Sequence, residues 1–267
     1  MTLPSVFIES VALWAPSLPG WEIARAAFRG EGAPVDPPAR RPSPELLPAA
    51  ERRRAPDTVA LALEVASAAV AHCGLRADEL LSVFTSAHGD LAIHDNLCST
   101  LVSEPTRVSP TKFHNSVHNA ASGYWGIATG CMRASTAVSA FECSFAAGLL
   151  EALTQCSADA QPVLLVGYAI AACGAQASTN DSRGLLAAAL VIAPNRSRRS
   201  LAALDWSLAS GATARIPLRS EAALPLATNA MADAVPLFEA FARGDRAALS
   251  MPLSPTLALK LQLHALA

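Results

Sequence analysis

A chain of 267 residues is long enough to bury a sizeable core as one domain, and 52% hydrophobic against 16% charged residues is an apolar balance that suggests a face covered by a partner. A net charge of −2 gives no steering toward nucleic acid or an anionic membrane. The chain has no uncharged apolar run of about 18 residues and no basic stretch before Glu9, so neither a membrane-spanning helix nor a signal peptide is expected, and the chain reads as cytoplasmic.

Residues 5–13 predict a first strand, ending in the turn residues Pro16 to Gly20, and residues 21–29 a short helix. Residues 30–56 are a proline-rich surface loop carrying Arg40, Arg41, Arg52, Arg53 and Arg54. Residues 57–73 predict a helix that Asp57 can cap, apolar on more than one face. A buried strand follows at 80–86, then a turn and helix at 89–102. Residues 115–130 predict one helix whose small residues Ala120, Ala121, Ser122 and Gly123 suit close packing.

Residues 135–153, STAVSAFECSFAAGLLEAL, read as a short strand, a tight turn and a helix rich in small residues. A nucleophile elbow has this shape: a strand hands its last residue to a helix N-terminus, where free N–H groups and the helix dipole favour negative charge. A thiolate is activated in such a place. Here the residue placed at the turn is Glu142, which is no nucleophile. Its carboxylate reads either as a cap for the helix N-terminus or as a group assisting decarboxylation. A shift of one residue brings Cys143 to the turn instead, and packing as a small apolar residue is its alternative.

Downstream, 161–167 and 184–194 predict buried strands, 202–208 and 213–218 a pair of later strands, 230–243 a helix and 255–266 a final helix. Alternating helices and buried strands argue a layered α/β fold, a single domain over 1–267 with 195–267 as C-terminal strands and helices. The six cysteines are scattered without a C-x-x-C pair and read as reduced core residues. No glycine fingerprint for a nucleotide is present, so no cofactor is implied. His114 and His118, four apart on the expected helix, have metal-binding spacing but no evident third ligand, so no metal is expected.

Several stretches carry a family resemblance. SPTKFHNSVHN at 109–119, the helix through Gly123 to Gly130, the strand 135–139, and Ser144–Phe145–Ala146–Ala147–Gly148 resemble the N-terminal half of a β-ketoacyl synthase of thiolase-like fold. Trp14, Pro16, Pro19–Gly20–Trp21 and Arg29–Gly30 resemble its opening strand and first helix. The chain is similar to the short chain length factors of aryl-polyene and related pigment pathways. The resemblance implies one half-repeat, a mixed sheet with helices on both faces, plus a C-terminal extension.

In that family a cysteine accepts the acyl chain and two histidines of the second half assist decarboxylation. Here Glu142 aligns with the cysteine, no HGTGT-like string exists, and His264 is the only histidine beyond Leu150. The resemblance therefore implies a subunit without catalytic residues that pairs with a complete β-ketoacyl synthase as a heterodimer and meets an acyl carrier protein transiently. The basic loop 30–56 is a candidate contact for that acidic carrier. Phe113, His114, Val117, His118, Ala120, Ala121, Ser135 and Val138 form the implied tunnel and interface set. Bulky side chains there limit product length, since one more two-carbon unit in a full tunnel forces overpacking. Two alternatives stand beside this reading: a separate enzyme, either a hydrolase or acyltransferase using Cys143 or a decarboxylase using Glu142, and a homodimeric acyl-binding structural protein.

Overall fold

The computed structural model describes residues 4–211, 213–244 and 246–266. The elements run in order β1 (Val6–Ala15), β2 (Leu18–Pro19), α1 (Trp21–Arg29), α2 (Ala49–Arg54), α3 (Asp57–Cys73), β3 (Leu81–Thr85), α4 (Leu91–Ser103), α5 (Pro110–Asn115), α6 (Ala120–Thr129) and β4 (Ser135–Val138). They continue with α7 (Ser144–Asp159), β5 (Val163–Ala169), β6 (Leu186–Ala193), β7 (Ala202–Ser210), α8 (Val235–Arg243), β8 (Ala247–Ser254) and β9 (Leu257–Ala265).

All strands join one mixed sheet in the order β4-β3-β5-β6-β1-β7-β9-β8, with β2 hairpinned onto β1. β3 runs parallel to both β4 and β5, and every other pairing is antiparallel. β5 and β6 are buried along their whole length because helices cover both faces of the sheet. α3 and α6 pack on one face around Leu61, Leu63, Phe84 and Trp125. α1, α7 and α8 pack on the other around Phe28, Phe145, Leu149 and Phe238. This is the mixed, double-faced sheet that the resemblance implies.

α7 approaches the sheet through glycine. A Cβ on Gly148 would lie 2.8 Å from both Cβ and Cγ2 of Thr85 on β3, and one on Gly167 of β5 would lie 2.8 Å from the Phe145 ring. Gly148 in α7 is thus a packing requirement.

Five sequence expectations are corrected. Within 255–266 the chain forms β9, not a helix: Leu257, Leu259, Leu261 and Leu263 alternate with Ala258, Lys260, Gln262 and His264, and β9 pairs with β7 on one side and β8 on the other. Residues 213–218 form no strand and run as irregular chain. The helix expected over 115–130 is two helices, α5 and α6, broken at residues 116–119. The α8 region starts as a single 3₁₀ turn, Ala232–Ala234, rather than at residue 230. Asp57 is the first residue of α3, not its cap, and pairs with Arg41 at 3.2 Å.

Candidate functional site at the strand-to-helix elbow

β4 leads into α7 through residues 139–143. The Ser139 hydroxyl donates to the Ala87 carbonyl at 2.9 Å, anchoring the end of the strand. Ser144, the first residue of α7, closes the turn: its Oγ accepts from the Ala140 N–H at 3.0 Å and donates to the Phe141 carbonyl at 2.7 Å. Between these anchors Phe141 adopts φ 51°, a left-handed conformation that disfavours a residue with a Cβ.

The strained tip of the elbow is therefore Phe141, one residue earlier than the sequence reading placed it. Glu142 is the middle residue of the 3₁₀ turn that Phe141 opens, exposed, with Oε2 2.7 Å from Arg215 Nη2. The Phe141 ring is about half exposed and meets His88 edge to face at 5.4 Å. The positive φ is a backbone property that residue types alone do not reveal in a phenylalanine.

Glu142 does not cap α7. The cap comes from a residue that the sequence did not single out, Asp233, in the 3₁₀ turn before α8. Its Oδ2 accepts the Ala146 N–H at 3.1 Å, while Oδ1 is enclosed without a hydrogen-bond partner. Burial pushes the Asp233 carboxyl up to about 7, against the opposing pull of the Ala146 and Phe145 N–H groups and of Arg215.

Cys143 stands at the N-cap position of α7. Burial, and then the Asp233 carboxylate, raise its thiol above the ordinary value, with Arg215 opposing and Glu142 adding to the rise. The elbow thus keeps this sulfur protonated, contrary to what a nucleophile needs. Two small clefts flank Arg215. A polar one of about 190 Å³ is lined by His88, Phe141, Glu142, Asn180 and Asn229. An apolar one of about 180 Å³ is lined by Ile216, Leu218, Asp233, Pro236 and Met251. His88 is held below the usual histidine value by burial first, opposed by Asn180 and reinforced by His118. His264 sits at the other end of the sheet on β9, paired with Asp205 of β7 at 3.0 Å.

The remaining predicted site residues differ in exposure. Phe113 and Val117 are exposed, at 66% and 52%, and His114 beside them on α5 is exposed too. His118 lies in the break after α5, so it shares no helix face with His114. Its Nε2 is 2.8 Å from the Ser86 carbonyl, which gives it a structural role. Ala121 is buried in the chain's own core and Ala120 packs beside it, so neither forms an open contact surface. Ser135 is exposed and accepts from the Ser82 hydroxyl at 2.9 Å, and Val138, half-buried, ends β4.

The sheet has two edges of different character. β8 carries Pro252 and a register irregularity between Pro252 and Ser254, both of which discourage further strand pairing. β4, with the sequence STAV, has neither proline nor charge. The segment leading through it also carries Leu101, Val102, Ile127 and Met132 exposed to solvent, together with Phe113, Val117 and Phe141.

Comparison with known proteins agrees with this architecture. The chain is 21% identical to a chain in the complex of the ketosynthase ApeO with its chain length factor ApeC from Xenorhabdus doucetiae, with a TM-score of 0.74 over 97% of this chain and 99% of that one. It aligns over 100% of both chains, at 11% identity and TM-score 0.76, with a structure of AntDE:AntF, a type II polyketide acyl-carrier protein in complex with its ketosynthase. The ishigamide ketosynthase/chain length factor gives a TM-score of 0.72 at 16% identity, over 99% and 100% of the two chains. At these identities the likeness shows the fold, which is the thiolase-like ketosynthase fold. No curated protein matches the chain by sequence. The family model for the N-terminal domain of β-ketoacyl synthases matches residues 28–243, and the chain belongs to the β-ketoacyl synthase family.

Proposed function

We propose that this chain is a non-condensing subunit, a chain length factor that pairs with a complete, cysteine-bearing β-ketoacyl synthase and shapes its acyl tunnel. The observation that carries the reading is Phe141 at the strained tip of the elbow, where a nucleophile would stand, with φ 51° and a side chain that has no nucleophilic atom. The neighbouring thiol of Cys143 is biased toward its protonated form. The histidine that follows the elbow in sequence, His264, lies at the opposite end of the sheet. A cysteine hydrolase loses support because the Cys143 thiol is raised above its ordinary value, and a Glu142 decarboxylase because Glu142 is an exposed partner of Arg215.

The partner docks on the β4 edge. An unprotected edge strand, preceded in the chain by exposed Phe113, Val117, Ile127 and Met132, is an aggregation hazard in isolation and a pairing surface in a complex. Strand pairing across this edge extends the sheet into the partner and brings Phe113 toward its acyl tunnel. Solved complexes of this fold whose names include a chain length factor support the assignment of that role. Aryl-polyene or related pigment synthesis, in the cytoplasm, is the pathway the sequence resemblance favours. An acyl carrier protein is the transient third partner, with exposed Arg40, Arg53 and Arg54 as its candidate contacts.

Reconstitution with malonyl-loaded carrier protein tests this. Chain elongation should require both subunits, and this chain alone should form no acyl-enzyme and no product. Product from this chain alone would overturn the reading.

A further inference from the structure

We propose that a break in the sheet beside β1 is a binding site for a linear alkyl chain with an anionic head group. The site lies four strands from β4, so it is separate from the partner surface and does not rest on that reading.

The pairing of β1 is interrupted on one side. β7 pairs with it only at Val6, Phe7 and Ile8, and β2 only at Trp14 and Ala15, so residues 9–13 have no strand beside them there among the described residues. A cavity of about 1020 Å³ opens at this break, at the top of the usual size range of small-molecule pockets. Val11 and Ala12 both line it although their side chains point to opposite faces of the sheet, so the cavity reaches the edge of the strand. Trp21 and Ile23 of α1 and Phe241 of α8 wall it from one face, and Ala68 and His72 of α3 from the other. The cavity therefore passes through the layer of the sheet.

Its two ends differ in chemistry. On the α1 and α8 side, Trp21, Ile23 and Phe241 are half-buried apolar groups packed against the core. On the α3 side the loop from β6 to β7 brings positive charge. The Arg199 guanidinium lies over Gly74, the residue after α3, where a Cβ would be 1.0 Å from its Nη1. Arg198, its exposed neighbour in the chain, also lines the cavity. Neither arginine is in an ion pair among the described residues. Glu9 is the carboxylate in this part of the lining, and both its oxygens are already engaged, Oε1 by the Ser200 hydroxyl at 2.6 Å and Oε2 by that of Ser197. Glu22 and Arg25 of α1 neutralise each other at 3.1 Å. Burial drives an alkyl tail into the apolar end, and guanidinium groups hold an anionic head at the other. Carboxylate and phosphate heads share this chemistry.

Tryptophan fluorescence of the full chain, titrated below the micelle concentration with dodecanoate and with dodecyl phosphate, tests the site. Each probe carries a bromine at the far end of its tail, and bromine quenches a tryptophan that it touches. Binding should quench Trp21 saturably, and the head group that binds more tightly identifies the ligand class. Trp21→Phe should remove most of the quenching while calorimetry still detects binding. Arg198→Glu should weaken binding at least about tenfold, and uncharged dodecanol should bind at least about tenfold more weakly than the tighter anion. Ile127→Asp, at the proposed partner surface, should leave the affinity unchanged, which separates this site from that one. The absence of saturable quenching with either anion, or quenching that ignores both Arg198→Glu and the head group, would overturn the site. Should Trp21→Phe not fold, the wild-type and Arg198→Glu titrations decide.

Discussion

Glu142 and Arg215 form an ion pair at 2.7 Å that joins the elbow to the irregular segment after β7, with both side chains more than half exposed. Exposed pairs of this kind contribute about 0–1 kcal/mol. Glu142→Gln should therefore shift the melting temperature little and retain most of the activity of the complex. Complete loss of activity with the complex intact would mean that the carboxylate takes part in the chemistry.

Cys143 should react slowly with iodoacetamide at neutral pH, because burial and two carboxylates hold its thiol in the protonated form. Cys143→Ala should leave turnover of the complex nearly unchanged. Fast alkylation coupled to loss of turnover would revive a separate cysteine enzyme.

Ile127 on α6 is 84% exposed and is the better probe of the docking surface than Ala121, which is 1% exposed. A bulky replacement at Ala121 would overpack the chain's own core and say nothing of assembly. Ile127→Asp should leave the isolated chain folded, by circular dichroism, and weaken partner binding at least about tenfold, the effect of about 1.4 kcal/mol. Unchanged binding would move the interface elsewhere.

Phe113→Ala should allow assembly and shift the product distribution to longer chains, since removing a ring enlarges the space the acyl chain can fill. An unchanged distribution, measured by mass spectrometry of the released products, would remove Phe113 from the tunnel.

Gly148→Val should destabilise the isolated chain. Its Cβ would meet Thr85 at 2.8 Å on a β-strand that is fully buried, so relief requires moving α7 or β3. Overpacking of this kind costs about 1–3 kcal/mol, and thermal unfolding should fall by several degrees. An unchanged melting temperature would show that α7 has slack against the sheet.

Much of the fold is legible in the residues. The fully apolar runs of β5 and β6 and the α3 segment carry their periodicity openly, and α3 occupies the bounds expected of it. The last element is not legible in the same way. LALKLQLHA has both the alternation of a strand and enough leucine and alanine for a helix, and pairing with β7 and β8 decides between them. At the elbow the strand, the turn and the small-residue helix are readable, but its tip is not, because the left-handed φ of Phe141 is fixed by the Ser144 bridge and not by residue type. Asp233 is invisible to local reading: it lies 87 residues from the amide it caps.

The most direct measurement is the mass and composition of the complex formed when this chain is co-expressed with a complete β-ketoacyl synthase from the same genome. Light scattering with intact mass analysis should give one copy of each chain, and Ile127→Asp should release the partner. A stable complex that survives Ile127→Asp, or a chain that stays separate from every complete ketosynthase while retaining its fold, would contradict the account.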